Sequence, residues 1–359
     1  MSGYILRRLL LMIPTLLGIL GVTFLVIQFV PGGPVERMIA LLEHRGESGG
    51  TMGGGGMEVS AGGSSGGLYR GNRGVAAEQV EALRQLYGFD RPAWERFVHM
   101  VWNYVRFDFG ESYYHHQRVV DLVIEKMPVS ISLGIWTFLL TYLVSIPLGI
   151  RKAVHHGSRF DAITSTLILV GYSIPGFVLG VLLIVLFGGG SFWDVFPLRG
   201  LVSDNWASLS WPMRIMDYLW HITLPITASV VGSFAVMTML TKNSFLEEIA
   251  KQYVLTARAK GLSERAVLYR HLFRNAMIPL VTGFPGSFVA AFFSGSLLLE
   301  TIFSLDGLGL LGYESVINRD YPVVMATLYF FTLLGLLTKL ITDLTYVLID
   351  PRITFDRAA

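Results

Sequence analysis

The chain has 359 residues, of which 52% are hydrophobic and only 15% charged, against roughly 25% charged in an ordinary soluble domain. That composition excludes a water-soluble globular protein and indicates an integral membrane protein. A net charge of +2 is too small to imply a nucleic-acid partner, and zero cysteines exclude disulfides, thiolate metal sites and a cysteine nucleophile.

A spanning helix needs about 20 apolar residues to cross a hydrocarbon core about 30 Å thick. Six segments qualify, approximately Leu9 to Val30, Val129 to Ile150, Ala162 to Phe187, Tyr218 to Leu240, Ile278 to Leu299 and Val323 to Ile349. The first follows Arg7 and Arg8 like a signal peptide, but its apolar run is too long and no small-residue cleavage site closes it, so it reads as retained. Lys and Arg set the orientation. With the N-terminus inside, the inner pieces carry Arg7 and Arg8, then Arg151, Lys152 and Arg159, then seven basic residues from Lys242 to Arg274, then Arg352 and Arg357. The short outer loops hold only Arg199, Arg214 and Arg319, a positive-inside pattern that places both termini in the cytoplasm.

The chain thus divides into an inner N-terminus with the first span (1–30), a long outer segment (31–128), a core of five further spans (129–350) and an inner tail (351–359). Within the outer segment, 46–74 contains 13 glycines among 29 residues. With almost nothing to bury, it predicts a flexible loop, dispensable for assembly. An amphipathic helix is predicted over 76–87, and after Pro92 a second, aromatic helix, AWERFVHMVWNYVRF. Together they form an outer helical cap, too apolar on one face to be free in water.

Motifs that would carry chemistry are weak. GLGLLG at Gly307 to Gly312 is a literal GxGxxG, but a dinucleotide fingerprint must leave a strand and open a helix. His115 with His116 and His155 with His156 diverge as neighbours and lack further ligands. Lys339 and Asp343 sit four residues apart on the last helix and predict an ion pair that anchors it. No GxxxxGK[ST] and no nucleophile–base arrangement occurs, so no catalytic, cofactor or metal site is expected. The spans instead carry prolines, with Pro175, Pro225 and Pro285 as candidate bends among small residues that let helices approach.

The segment 242–277 is more informative. Gly261 stops a first helix and Ser263 can cap a second, giving two short helices at an angle. Arg258, Lys260, Arg265, Arg270 and Arg274 are then available to an acidic or carbonyl-lined partner.

In chain order, RRLLLMIPTLLGI, PGGP at Pro31 to Pro34, YGFDRP, FDFGES, SIPLGIRKAVHHGSRFD, TARAKG with HLFRNAMIP, and DPRI at Asp350 to Ile353 resemble the binding-protein-dependent ABC importer permeases of the dipeptide and oligopeptide branch. The resemblance covers nearly the whole chain. It implies an all-α membrane protein with six transmembrane helices, the type I importer permease fold, and an outer helical cap after the first helix. It also implies a bacterial inner-membrane location and uptake of peptides, microcin C-like antibiotics among them, by alternating access. The implied partners are a second homologous permease, a cytoplasmic ABC ATPase as two subunits or one fused chain, a periplasmic peptide-binding protein, the peptide and the lipid bilayer. ATP and Mg²⁺ would belong to the ATPase alone.

The same resemblance makes TARAKG the ATPase coupling loop, with Thr256, Ala257, Arg258, Lys260, Gly261, Ser263, Arg270, Arg274 and Asn275 as its residues. Leu255, Thr256 and Ala257 stand where the general pattern has Glu-Ala-Ala, so no glutamate contact is expected. It also places the segment 300–322 at the outer mouth of the path, with Leu308 sealing it and Glu314, Arg319 and Asp320 meeting the binding protein or second permease. A secondary transporter or channel would instead call for midplane carboxylates and inverted repeats.

Overall fold

The computed structural model describes residues 2–29, 91–188, 192–293 and 296–349. The glycine-rich segment 46–74, the helix expected over 76–87, PGGP and the tail 351–359 lie outside the described residues. Among the described residues every named element is helical.

Helix α1 is Ser2–Phe29, α2 is Ala93–Val105, α3 is Val119–Val154, α4 is Arg159–Ser173, α5 is Gly176–Phe187 and α6 is Trp211–Ile249. Their ends follow local chemistry. The last turn of α3 carries Arg151 and Lys152 against the negative end of its dipole. Ser158 caps α4 by accepting from the Asp161 N–H at 3.2 Å. Pro212 in the first turn of α6 occupies a position that needs no N–H donor.

Among the described residues, four helices are long and apolar enough to cross a bilayer, at 3–29, 119–154, 211–249 and 321–345. The other two expected spans, the third and the fifth, take different forms. The third is broken: α4 and α5 bend by 93°. Ile174 is extended (φ −89°, ψ 117°) and precedes Pro175, the N-cap of α5. Proline disfavours the α conformation in the residue before it, so the helix restarts in a new direction. The fifth is short, a 16-residue helix α9, Ile278–Phe293. Pro225 and Pro285 lie inside continuous helices, α6 and α9.

The chain divides into two compact units. In the unit formed by 1–14, 121–314 and 329–359, α4 and α5 pack along α6. Leu133, Ile222, Ile226, Ala228 and Val230 are buried there with Leu299, Phe303 and Leu305. Asp343 accepts from the Tyr4 hydroxyl at 2.8 Å and meets Arg8 at 2.7 Å. This corrects the expected pair with Lys339. The carboxylate ties the beginning of α1 to the last helix, so these two helix ends share one face of the unit.

In the unit formed by 15–120 and 315–328, α2 packs on the second half of α1. Phe24 meets Phe97 at 5.4 Å between ring centroids, and Arg96 donates to the Gln28 side chain at 2.7 Å. Tyr104 and Phe109, both buried, meet edge-on at 4.8 Å.

Candidate coupling surface

After α6, Lys251 turns the chain into α7, Gln252–Ala259. The Lys260 N–H closes that helix on the Thr256 carbonyl at 3.1 Å, and the Gly261 N–H donates to the Arg258 carbonyl at 2.9 Å. Gly261 adopts φ +80°, where a Cβ is penalised. Ser263 then caps the next helical stretch, its hydroxyl accepting from the Ala266 N–H at 3.3 Å. That stretch, α8, runs over 264–276 as Glu264–Ala266, a π-helical Val267–Leu272 and Phe273–Ala276. Arg258 bridges the turn to Glu264 with two near-parallel contacts of 2.9 and 3.0 Å, a bidentate pair.

One side of this pair of helices is an apolar floor. Val254 and Ala257 of α7 and Val267, Leu272 and Ala276 of α8 are buried with Ala153 of α3 and Phe245 of α6. The other side is open: Leu255, Thr256, Arg258, Lys260, Gly261, Ser263, Arg265, Tyr269, Arg270, Arg274 and Asn275 are exposed. Ala257 is the exception among the expected coupling residues. It is buried, so it seats the helix and does not offer itself to a partner.

Beneath the floor lies a charge cluster that sequence reasoning did not single out. Lys152 is wholly buried and donates to the Asp161 carbonyl at 2.9 Å and to the Thr164 and Ser165 hydroxyls at 2.7 and 2.8 Å. Its ammonium is 3.1 Å from the Asp161 carboxylate. Lys242, near the end of α6, donates to both Asp161 oxygens at 2.8 and 2.9 Å. The Gly157 N–H and the His156 ring reach the same carboxylate at 3.2 Å each. One aspartate thus pins the turn after α3 to the stem from which α7 springs. Closer to the surface, Glu248 pairs with Lys251 and accepts from the Tyr253 hydroxyl at 2.6 Å, fixing the entry into α7.

Residues 145–355 match the family described as the binding-protein-dependent transport system inner membrane component. The chain belongs to this family. It is a permease subunit of a binding-protein-dependent ABC importer, an inner-membrane component with apolar helices. It is 58% identical over 361 residues to the peptidoglycan transport system permease protein YejB of Agrobacterium fabrum, covering 99% of each chain. It is 54% identical over 363 residues to the inner membrane ABC transporter permease protein YejB of Escherichia coli, covering 99% of this chain and 100% of that one. The dipeptide transport system permease protein DppB of Escherichia coli is 33% identical over 371 residues, covering 98% of this chain and 99% of the relative.

In this permease the segment 300–322, expected at the outer mouth of the path, lies across three helices. Helix α10 is Leu297–Ile302, α11 is Leu308–Asn318 and α12 is Tyr321–Ile349. Leu308 is buried, and its N–H donates to the Ser130 hydroxyl at 2.9 Å. It packs into the core of this chain. Asp320 is also buried: it accepts from the Ser112 hydroxyl and from the Tyr113 and Tyr114 N–H groups at 3.0 and 3.4 Å. The carboxylate holds its own loop and is absent from the exposed surface of this chain, which corrects the expectation that it meets the binding protein or second permease directly. Glu314 is exposed and Arg319 half-buried.

GLGLLG has an internal occupant. The wholly buried Glu300 accepts from the Leu310 N–H at 2.7 Å. A Cβ on Gly307 would lie 2.6 Å from the Glu300 carboxyl, so glycine there is a matter of room. Burial pushes the Glu300 carboxyl above the ordinary glutamate range, although backbone N–H groups pull the other way. The glycines wrap a carboxylate of the same chain, the arrangement that in other proteins cradles an anionic ligand. A glutamate seven residues before the motif was the available signal.

Proposed function

We propose that this permease carries peptides inward across the bilayer and that the face formed by α7 and α8 seats on a cytoplasmic ATPase. The observation that carries the reading is the two-sided build of that segment: an apolar floor fixed to α3 and α6, and an open face bearing Arg258, Lys260, Arg265, Arg270 and Arg274. A basic face on a rigid seat suits a partner groove lined with carboxylates or carbonyls. ATP hydrolysis belongs to that partner, and this chain transmits the movement. A second homologous permease completes the path, and a periplasmic peptide-binding protein delivers the substrate.

Peptides are the inferred cargo because the relatives' names point to peptidoglycan and dipeptide transport. Microcin C-like antibiotics follow from the sequence resemblance. The type I fold, six passes with a broken third and a short fifth, and cytoplasmic termini complete the reading. The shared face of the α1 start and the last helix supports placing both termini on one side.

The chain has no cysteine, so Leu255→Cys and Glu314→Cys give two defined attachment points in the assembled importer. A short bifunctional cross-linker should join position 255 to the ATPase subunit and position 314 to none. An importer that takes up labelled peptide yet shows no ATPase adduct at 255, 265 or 270 would overturn the coupling assignment.

A further inference from the structure

Helix α2 has three faces. Phe97, Met100 and Tyr104 turn inward, with Phe97 against Phe24 and beside Gly21 of α1. At a helical repeat of about 100° per residue, Trp94, Val98, Trp102 and Val105 form a second, contiguous strip. All four are exposed. Beside that strip runs a third face of Glu95, His99 and Arg106, also exposed. Arg106 stands over the Trp102 ring at 4.5 Å. A helix floating in water would not keep two tryptophans and two valines on one open strip, and a helix buried in protein would not keep a charged strip next to it.

The anchor of α2 fixes its level. It is held by residues 21–28 at the end of the first span, through Phe24, Gln28 and Gly21. Around the same turns Val22, Leu25, Val26 and Phe29 are exposed, the surface of an apolar spanning helix. The strip on α2 therefore continues a lipid-facing surface just where that surface leaves the hydrocarbon. Tryptophan is enriched at this depth because its ring is apolar and its N–H is polar. An arginine stacked on such a ring can reach lipid phosphates while its stem stays on the apolar side.

We infer that α2 is an interfacial helix whose Trp94–Val98–Trp102–Val105 strip rests in the headgroup–acyl boundary of the leaflet where the first span ends. The partner is the lipid surface. A second permease or a docked binding protein on this strip is the competing occupant. The inference goes beyond the transport reading and does not depend on which leaflet is the outer one.

The test uses the assembled importer in vesicles of phosphatidylethanolamine and phosphatidylglycerol, with a nitroxide attached separately at Val98→Cys, Val105→Cys and Glu95→Cys. Signal from the unsubstituted importer is subtracted. Relaxation by oxygen, which concentrates in lipid, is compared with relaxation by a water-soluble nickel chelate. The oxygen-to-nickel ratio should be severalfold higher at 98 and 105 than at 95. High nickel access at 98 and 105 would mean the strip faces water, and low access to both reagents would mean that protein covers it; either result overturns the inference. Position 105, at the other end of the strip, keeps the test decisive if the change at 98 disturbs assembly.

Discussion

The segments 252–276 and 300–320 look alike in sequence, each mixing glycine, leucine and charge, yet they handle their charges in opposite ways. The first buries apolar side chains and leaves its arginines open. The second buries Glu300 and Asp320 and uses both to hold backbone N–H groups. The difference follows from what surrounds each charge. A guanidinium on a flexible stem can stay in water above an apolar floor, whereas a short carboxylate next to a tight turn finds orphan N–H groups within reach. Charge on a loop is thus no guide to docking until its hydrogen-bonding neighbours are known.

The sharpest way to break this comparison is at the buried cluster next to the segment 252–276. Asp161→Ala would leave Lys152 wholly buried without its carboxylate, a loss of about 3–5 kcal/mol. Membrane accumulation and detergent melting should both collapse, and Asp161→Ala combined with Lys152→Met should recover much of the loss. A normal melting profile for the single variant would show that the cluster does not carry the fold.

Asp320→Ala comes next. It strips the partner from the Ser112 hydroxyl and the Tyr113 N–H, costing about 1–3 kcal/mol. Proteolysis of the 106–118 loop should speed up. If stability is unchanged and only binding-protein affinity falls, Asp320 is a docking residue after all.

Gly261→Val should separate stability from function. Holding a β-branched residue at φ +80° costs roughly 1 kcal/mol or more and re-aims α8. The permease should reach the membrane, while peptide uptake and stimulated ATPase activity fall together. Full uptake at normal expression would remove the turn from the coupling reading.

The smallest structural effect belongs to Arg270→Ala and Arg274→Ala. Both side chains are exposed, so stability should move by no more than about 0.5 kcal/mol. Retention of the ATPase during purification should nevertheless weaken, more so at high salt. Unaltered retention across a salt series would place the contact elsewhere on the face.

Much of this was legible in the sequence because it depends on neighbours in the chain. Gly261 and Ser263 announce the turn between α7 and α8 locally, and apolar runs announce the membrane helices. What could not be read depends on residues far apart. Lys152 and Lys242 read only as topology charges and Asp161 carried no signal, because only the fold brings position 242 to a carboxylate 81 residues earlier. Pro175 signalled a bend, but its size was set by packing: a Cβ on Gly180 would come within 3.2 Å of Leu299 and Phe303, and one on Gly176 within 3.1 Å of the Ala228 carbonyl. Asp343 had a plausible partner one turn away and took Arg8 instead.

Helix α6 carries one more consequence. Its 39 residues make a rod of about 58 Å, nearly twice the thickness of the hydrocarbon core of about 30 Å. A good part of it therefore projects beyond the lipid, with Lys242 clamped near the foot and α7 fixed to the end. Because α4 and α5 pack along the same rod, the foot and the membrane-embedded stretch belong to one continuous element rather than to two joined by a loop. Pro225, which removes one rung of the helical ladder in the other half, is the weakest point of that rod.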